Sequence, residues 1–258
     1  MSTQALSDQQ LNDAPAAEIN RVETSAPFHW IGAGIGNFLA APGPSLVYGT
    51  LFGVAAGATL WASMASPGFT VAFLTGLLLI GPALAAGLYV AARQQDAGED
   101  TSILSALALL RSRTTNLALF GVFLALVMAA WVRLSALLFA IKFNTVTVTV
   151  DGYLGTISGT GDPMALVFFL LVGLALAVIV FVTSAVAVPM IVDRDCGPIP
   201  AIQASARAVA GNWPTMIVWA ALIVLLTGVG IVTGFVGMLA IFPILGYATW
   251  HSYRSLVR

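Results

Sequence analysis

Ligating side chains are almost missing from this chain. Two histidines, His29 and His251, and one cysteine, Cys196, lie far apart in the sequence. A haem, copper or zinc centre needs several such ligands brought together, so no metal or cofactor is expected. A lone cysteine also excludes a disulfide within one chain. Charge is scarce as well: 8% of the residues are Asp, Glu, Lys or Arg, where a soluble domain carries roughly a quarter. The net charge of −1 singles out no partner, and no nucleic acid is expected among them. Residues 1–25 are polar and lack the basic cluster and apolar run of a signal peptide. They are expected to form a disordered cytosolic tail, ahead of a transmembrane domain over 26–258.

What the chain does have is apolar length. With 59% hydrophobic residues and a mean hydropathy of +0.96, it belongs in a bilayer. A hydrocarbon core of ~30 Å takes about 20 apolar residues as helix. Uncharged runs of that kind fall near 46–66, 69–92, 115–141, 164–192, 213–232 and 235–252, the last two parted at Thr233-Gly234. Six spans in three hairpins result, an all-α membrane fold. Arg21, Arg93, Arg111, Arg113, Arg194, Arg207, Arg254 and Arg258 then share one side, with Lys142 in a loop on the other. By the positive-inside rule that side is the cytoplasm, so both termini are cytoplasmic. The stretch VPMIVDRDCGPIP, 188–200, is accordingly an inner loop: Asp193-Arg194-Asp195 ends a span and Gly197, Pro198 and Pro200 turn the chain.

Three segments ahead of outgoing spans read as helices in the inner interface. From Pro200 on, Ile202, Ala206, Val209 and Trp213 share one face and Gln203 and Arg207 another. Residues 101–111 offer Ile103, Leu104, Leu107 and Leu110. The segment 28–40 offers Phe28, Ile31, Ile35 and Phe38 before the stop Pro42-Gly43-Pro44, although Gly32, Gly34 and Gly36 each weaken a helix by about 1 kcal/mol. Each segment has an asparagine near its join (Asn37, Asn116, Asn212), and each returning span a proline (Pro82, Pro189, Pro243). Pro82, Leu84, Tyr89 and Arg93 match Pro243, Leu245, Trp250 and Arg254 at equal offsets. The pattern fits an old threefold repeat, and equally three ordinary hairpins with aromatic and arginine markers at the interface. In the outer connection 142–163, alternation from Thr145 to Val150 before Asp151-Gly152 predicts a small β-hairpin.

Few residues invite a functional role. Gly49, Gly53 and Gly57 form a ridge on the first span that admits a close helix, within the chain or from another copy or partner. Arg133 is charged inside a span, which points to gating or anion binding. It stands 16 residues past Leu117, about 24 Å along a helix, where it also reaches the outer headgroups. Asp193 and Arg194 are candidates for coupling or catalysis, or simply the end of a helix. Asn116 and Asn212, with Thr183 and Ser184, would matter if they lined a polar cavity. The GAGIG run at 32–36 follows no strand, so it is not a dinucleotide loop.

HWIGAGIGNFLAAPGPSLVYG, GPALAAGLYVAARQQDAGE, VPMIVDRD, SARAVAGNW and FPILGYATWHSYR together resemble a bacterial family of predicted integral membrane proteins classed as a domain of unknown function. The likeness runs over roughly 28–256. Some relatives are labelled putative cytochrome c oxidase subunit I, a label the two histidines do not support, and Asn37 stands where an aspartate is usual in that family. The resemblance implies a helical inner-membrane protein of unassigned role. Absent ionisable groups at mid-membrane, the expectation is a non-enzymatic accessory or scaffold protein that holds another membrane protein or a second copy of itself. The alternative is a small-molecule permease or channel. An intramembrane enzyme ranks third, since no nucleophile with a base, metal helix or paired acids stands out.

Overall fold

The computed structural model describes residues 17–65, 85–143 and 163–258. They are mostly helical: α1 (Ala26–Ala40), α2 (Pro42–Ala65), α3 (residues 85–96), α4 (Ile103–Ser112), α5 (Thr114–Phe143), α6 (Pro163–Ser184), α7 (Ala187–Arg194), α8 (Pro198–Gly211), α9 (Trp213–Val232) and α10 (Met238–Leu256). Lys142 and Phe143 close α5, while the expected hairpin at 144–162 and the first part of the second span lie outside the described residues.

Two described helices are long and apolar enough to cross a membrane, Gly173–Arg194 and Trp213–Val232. The number rises to four if each of two bent helix pairs counts as one span. The expected total of six is therefore not reached among the described residues. The last expected span is the informative case, because α10 does not meet the same test. Its sequence carries Tyr247, Thr249, Trp250, His251, Ser252, Tyr253 and Arg254, and it is buried on several sides rather than turned to lipid.

In each bent pair a shorter helix leads into a longer one. α1 stops at Ala40 and the chain turns by 107° into α2, whose first residue is Pro42; proline's fixed φ suits a first helical turn but breaks the preceding one. α4, capped where the Ser102 side chain accepts from the Ser105 amide, turns by 76° into α5. α1 forms in spite of its glycines, and Gly34 explains why one is useful. A Cβ there would meet the Ile244 carbonyl oxygen at 2.6 Å and the Ala248 nitrogen at 3.0 Å, so its absence lets α1 lie on the α10 backbone. The expected lipid face of α1 is split: Phe28 and Ile35 are exposed, whereas Ile31 and Phe38 pack on the core. α8 likewise buries Ala201, Ala204, Ser205 and Ala208, with Ile202 and Val209 at the margin and Trp213 exposed. Small side chains bring its backbone close to its neighbours, which outweighs the bulkier face.

Pro189 stands just past a local break at Ala185 and Val186, within the helical stretch Gly173–Arg194. Its ring clashes with the carbonyl four residues back, at Ala185, and α6 gives way to α7 there. Ser205 of α8 enters the gap: its hydroxyl donates to the Val182 carbonyl at 2.8 Å and accepts from the Val186 amide at 3.4 Å. α9 ends as expected at Thr233-Gly234, where Gly234 and Phe235 take positive φ and the Gly237 amide donates to the Thr233 hydroxyl.

Residues 17–25, taken from sequence as tail, run along the C-terminal end. Ile19 bridges Val257 in antiparallel fashion, the Asn20 amide donates to the Leu256 carbonyl and the Arg258 amide to that of Glu18. Asn212, at the α8–α9 joint, holds this arm: its Oδ1 accepts from the Val22 amide at 2.9 Å and its Nδ2 donates to the Asn20 carbonyl at 2.9 Å.

Candidate functional site at the arginine-rich end

Three helices meet at one carboxylate. Asp193, at the end of α7, has 15% of its side chain exposed and faces Arg93 of α3 at 3.1 Å and Arg254 of α10 at 3.9 Å. Tyr253 donates its hydroxyl to Asp193 Oδ2 at 2.7 Å and accepts from Arg194 Nε at 3.0 Å. Burial first, and then the Asp193 carboxylate, hold the Tyr253 phenol far above its usual range, so it remains a donor. Arg194 also donates to the backbone carbonyls of Arg258, at 2.8 Å, and Val257, at 3.3 Å, and lies over the Tyr253 ring. Asp193 and Arg194 do end a helix, with Arg194 exposed, and from that end they reach α10 and, through Asp193, α3.

Neighbouring polar groups are paired in the same way. Asp195, in the left-handed conformation that ends α7, pairs with Arg113 and accepts from Asn116 Nδ2 at 3.2 Å. Asp96 accepts from the Trp250 indole at 2.7 Å. Asn37 donates to Gln95 Oε1 at 2.6 Å, and its Oδ1 meets His251 Nε2 at 2.5 Å, which requires that nitrogen to carry the proton. These three residues line an open cleft of about 530 Å³ with Asp96 and Glu99. Cys196 is half-buried, and burial above all pushes its thiol up, away from a reactive thiolate. No group of three His, Cys, Asp or Glu suited to a metal occurs among the described residues.

The other sequence candidates lie elsewhere. A Cβ on Gly49 would sit on the Leu239 carbonyl oxygen of α10, one on Gly53 would touch the Leu239 side chain at 3.4 Å, and one on Gly57 would meet nothing within 4 Å. Arg133 is exposed on α5. Thr183 and Ser184 donate back to carbonyls of their own helix. A second, mainly apolar cavity of about 790 Å³ lies between α5, α6, α9 and α10. It includes Ser184 but not Thr183, Asn116 or Asn212. Tyr253, Gln95 and Asp96 escape sequence reasoning altogether. The equal offsets of Arg93 and Arg254 are the one available signal, and both arginines arrive at Asp193.

Residues 70–193 match the family model described as a predicted integral membrane protein (DUF2189). That stretch contains GPALAAGLYVAARQQDAGE and the acidic partner Asp193, but neither α1 nor α10. The match is shorter than the 28–256 suggested by resemblance, and it carries no cytochrome c oxidase label. No curated protein and no solved structure matches the chain. This is an integral membrane protein similar to a family of unknown function.

Proposed function

We propose that the chain is a non-enzymatic accessory protein of the bacterial inner membrane, with both termini in the cytoplasm, which holds another membrane protein or a second copy of itself. The observation that carries the reading is the Asp193 junction, where the polar groups best suited to chemistry are engaged in tying helices together. A general base or nucleophile needs a free reactive position and a matched pKa. Asp193, Asp195 and Asp96 instead serve arginine, asparagine and tryptophan donors, and the Cys196 thiol is displaced from reactivity. The arginines of this end favour the cytoplasmic side. Purification in mild detergent followed by mass spectrometry of co-eluting proteins tests the role. A stoichiometric membrane partner or a stable homo-oligomer is expected, and a lone monomer under every mild extraction condition would defeat it.

The large cavity favours a second reading, a permease or channel. Its walls suit an apolar molecule rather than a polar solute.

A further inference from the structure

The cavity between α5, α6, α9 and α10 has a volume of about 790 Å³, inside the range of roughly 300–1,000 Å³ for small-molecule sites. It is also long. On α6 its wall runs from Gly173 to Ser184 and on α10 from Met238 to Thr249, each roughly 17 Å at 1.5 Å per residue. That is more than half of a ~30 Å hydrocarbon core, long enough for much of a lipid chain. The cavity is partly open, so its apolar walls have no packing partner on the open side and gain contacts from any apolar chain laid along them. Water does not fill such a space, because a buried water needs several polar partners.

Among the described residues the polar groups are uncharged; three of the four gather toward one end, and Thr227 stands one turn from Ile231 at the other. No Asp, Glu, Lys, Arg or His is among the described residues that line the cavity. Tyr89, Ser184 and Thr249 sit toward the arginine-rich end, while Ile231 and Phe235 close the other. Ser184 and Thr249 spend their protons on the carbonyls of Val180 and Leu245, at 2.6 and 2.7 Å, so each offers an acceptor to a ligand. Tyr89 adds a phenol.

We infer that this cavity binds a neutral lipid, one long hydrocarbon chain ending in a hydroxyl, with the hydroxyl at Tyr89, Ser184 and Thr249 and the chain running toward Phe235. A carboxylate or phosphate end is disfavoured, because no cation lines the site to offset its desolvation. The inference stands apart from the accessory reading, which would survive its failure and could fail without it.

The test uses α9, which presents Ile223 and Thr227 to the cavity and Val224 and Leu225 outward, 71% and 63% exposed. The full chain in detergent is photolysed with a fatty alcohol carrying a mid-chain diazirine, and adducts are mapped by mass spectrometry. Adducts at Ile223, Thr227 and Val180 are expected to exceed those at Val224 and Leu225 several-fold. Ala177→Trp, which places an indole in the cavity, should remove the first set and leave the second. Gly173→Leu serves as an independent filler if the tryptophan variant loses helical signal. Unlabelled fatty alcohol should compete at least several-fold better than the fatty acid of equal length. Adducts confined to Val224 and Leu225, or insensitive to both fillers, would overturn the site. Equal competition by the carboxylate would overturn the neutral hydroxyl end.

Discussion

Ser205 completes a hydrogen-bond ladder that belongs to another helix, taking the Val186 amide and supplying the Val182 carbonyl where Pro189 has parted α6 from α7. It is fully buried. Removing its hydroxyl leaves two backbone groups without a partner in a region where water does not replace it, at roughly 1–3 kcal/mol for an unsatisfied group. Ser205→Ala should therefore lower the thermal midpoint of the detergent-solubilised protein by several degrees. Ala204→Gly, on the same face, serves as a comparison that removes no hydrogen bond.

The Asp193 junction predicts coupling between residues a hundred positions apart. Asp193→Asn leaves Arg93 and Arg254 facing each other without their common counter-charge. The loss should be partly relieved in the double variant Asp193→Asn, Arg93→Gln, with an interaction energy of about 0.5–3 kcal/mol in a double-mutant cycle. Strict additivity would show that the contact stabilises nothing, since Arg93 is half-exposed and solvent weakens such pairs.

Gly49 and Gly57 lie on the same ridge and should behave oppositely. Gly49→Ala puts a methyl on the Leu239 carbonyl and must push α2 from α10, whereas Gly57→Ala enters open space. The first should destabilise clearly. The second should be neutral or stabilising by up to about 1 kcal/mol, as alanine gains over glycine in a helix. Thermal unfolding of the two variants side by side decides it.

Asn212 predicts a local effect. Asn212→Ala removes the acceptor of the Val22 amide and a donor to the Asn20 carbonyl. Hydrogen exchange at Val22 should accelerate by an order of magnitude or more, while amides within α10 keep their protection. Uniform acceleration would mean the arm is part of the global unfolding unit.

Cys196 gives a pH dependence. With its thiol raised mainly by burial, the thiolate fraction at neutral pH falls below that of a free cysteine. Maleimide labelling should be slower than for a free thiol at pH 7, and its rate should keep rising with pH beyond the point where the free thiol levels off. Labelling in intact cells also reads the topology: a membrane-impermeant reagent should spare Cys196 until the membrane is opened.

Sequence pattern made the punctuation of this fold legible. Pro42-Gly43-Pro44, Pro189 and Thr233-Gly234 each act on the backbone within a few residues, and each marks a real break. Packing partners were not legible in the same way. Alanine and serine give no amphipathic signal, so the buried stripe Ala201, Ala204, Ser205 and Ala208 was hidden behind the bulkier Ile202 and Val209. The site was visible as the odd Asp193-Arg194-Asp195 run and, faintly, in the equal offsets of Arg93 and Arg254. Its partners Arg93, Tyr253 and Arg254 come from distant helices, and their approach depends on how α10 is seated, which no local period encodes. α10 itself is a largely buried helix with polar residues along it, and it is not among the described helices long and apolar enough to cross a membrane.

Two glycines, Gly34 and Gly49, set α1 and α2 directly on the α10 backbone with no side chain as a spacer. A side chain added at either position would have to part these elements, so the close seating of all three depends on two hydrogen atoms.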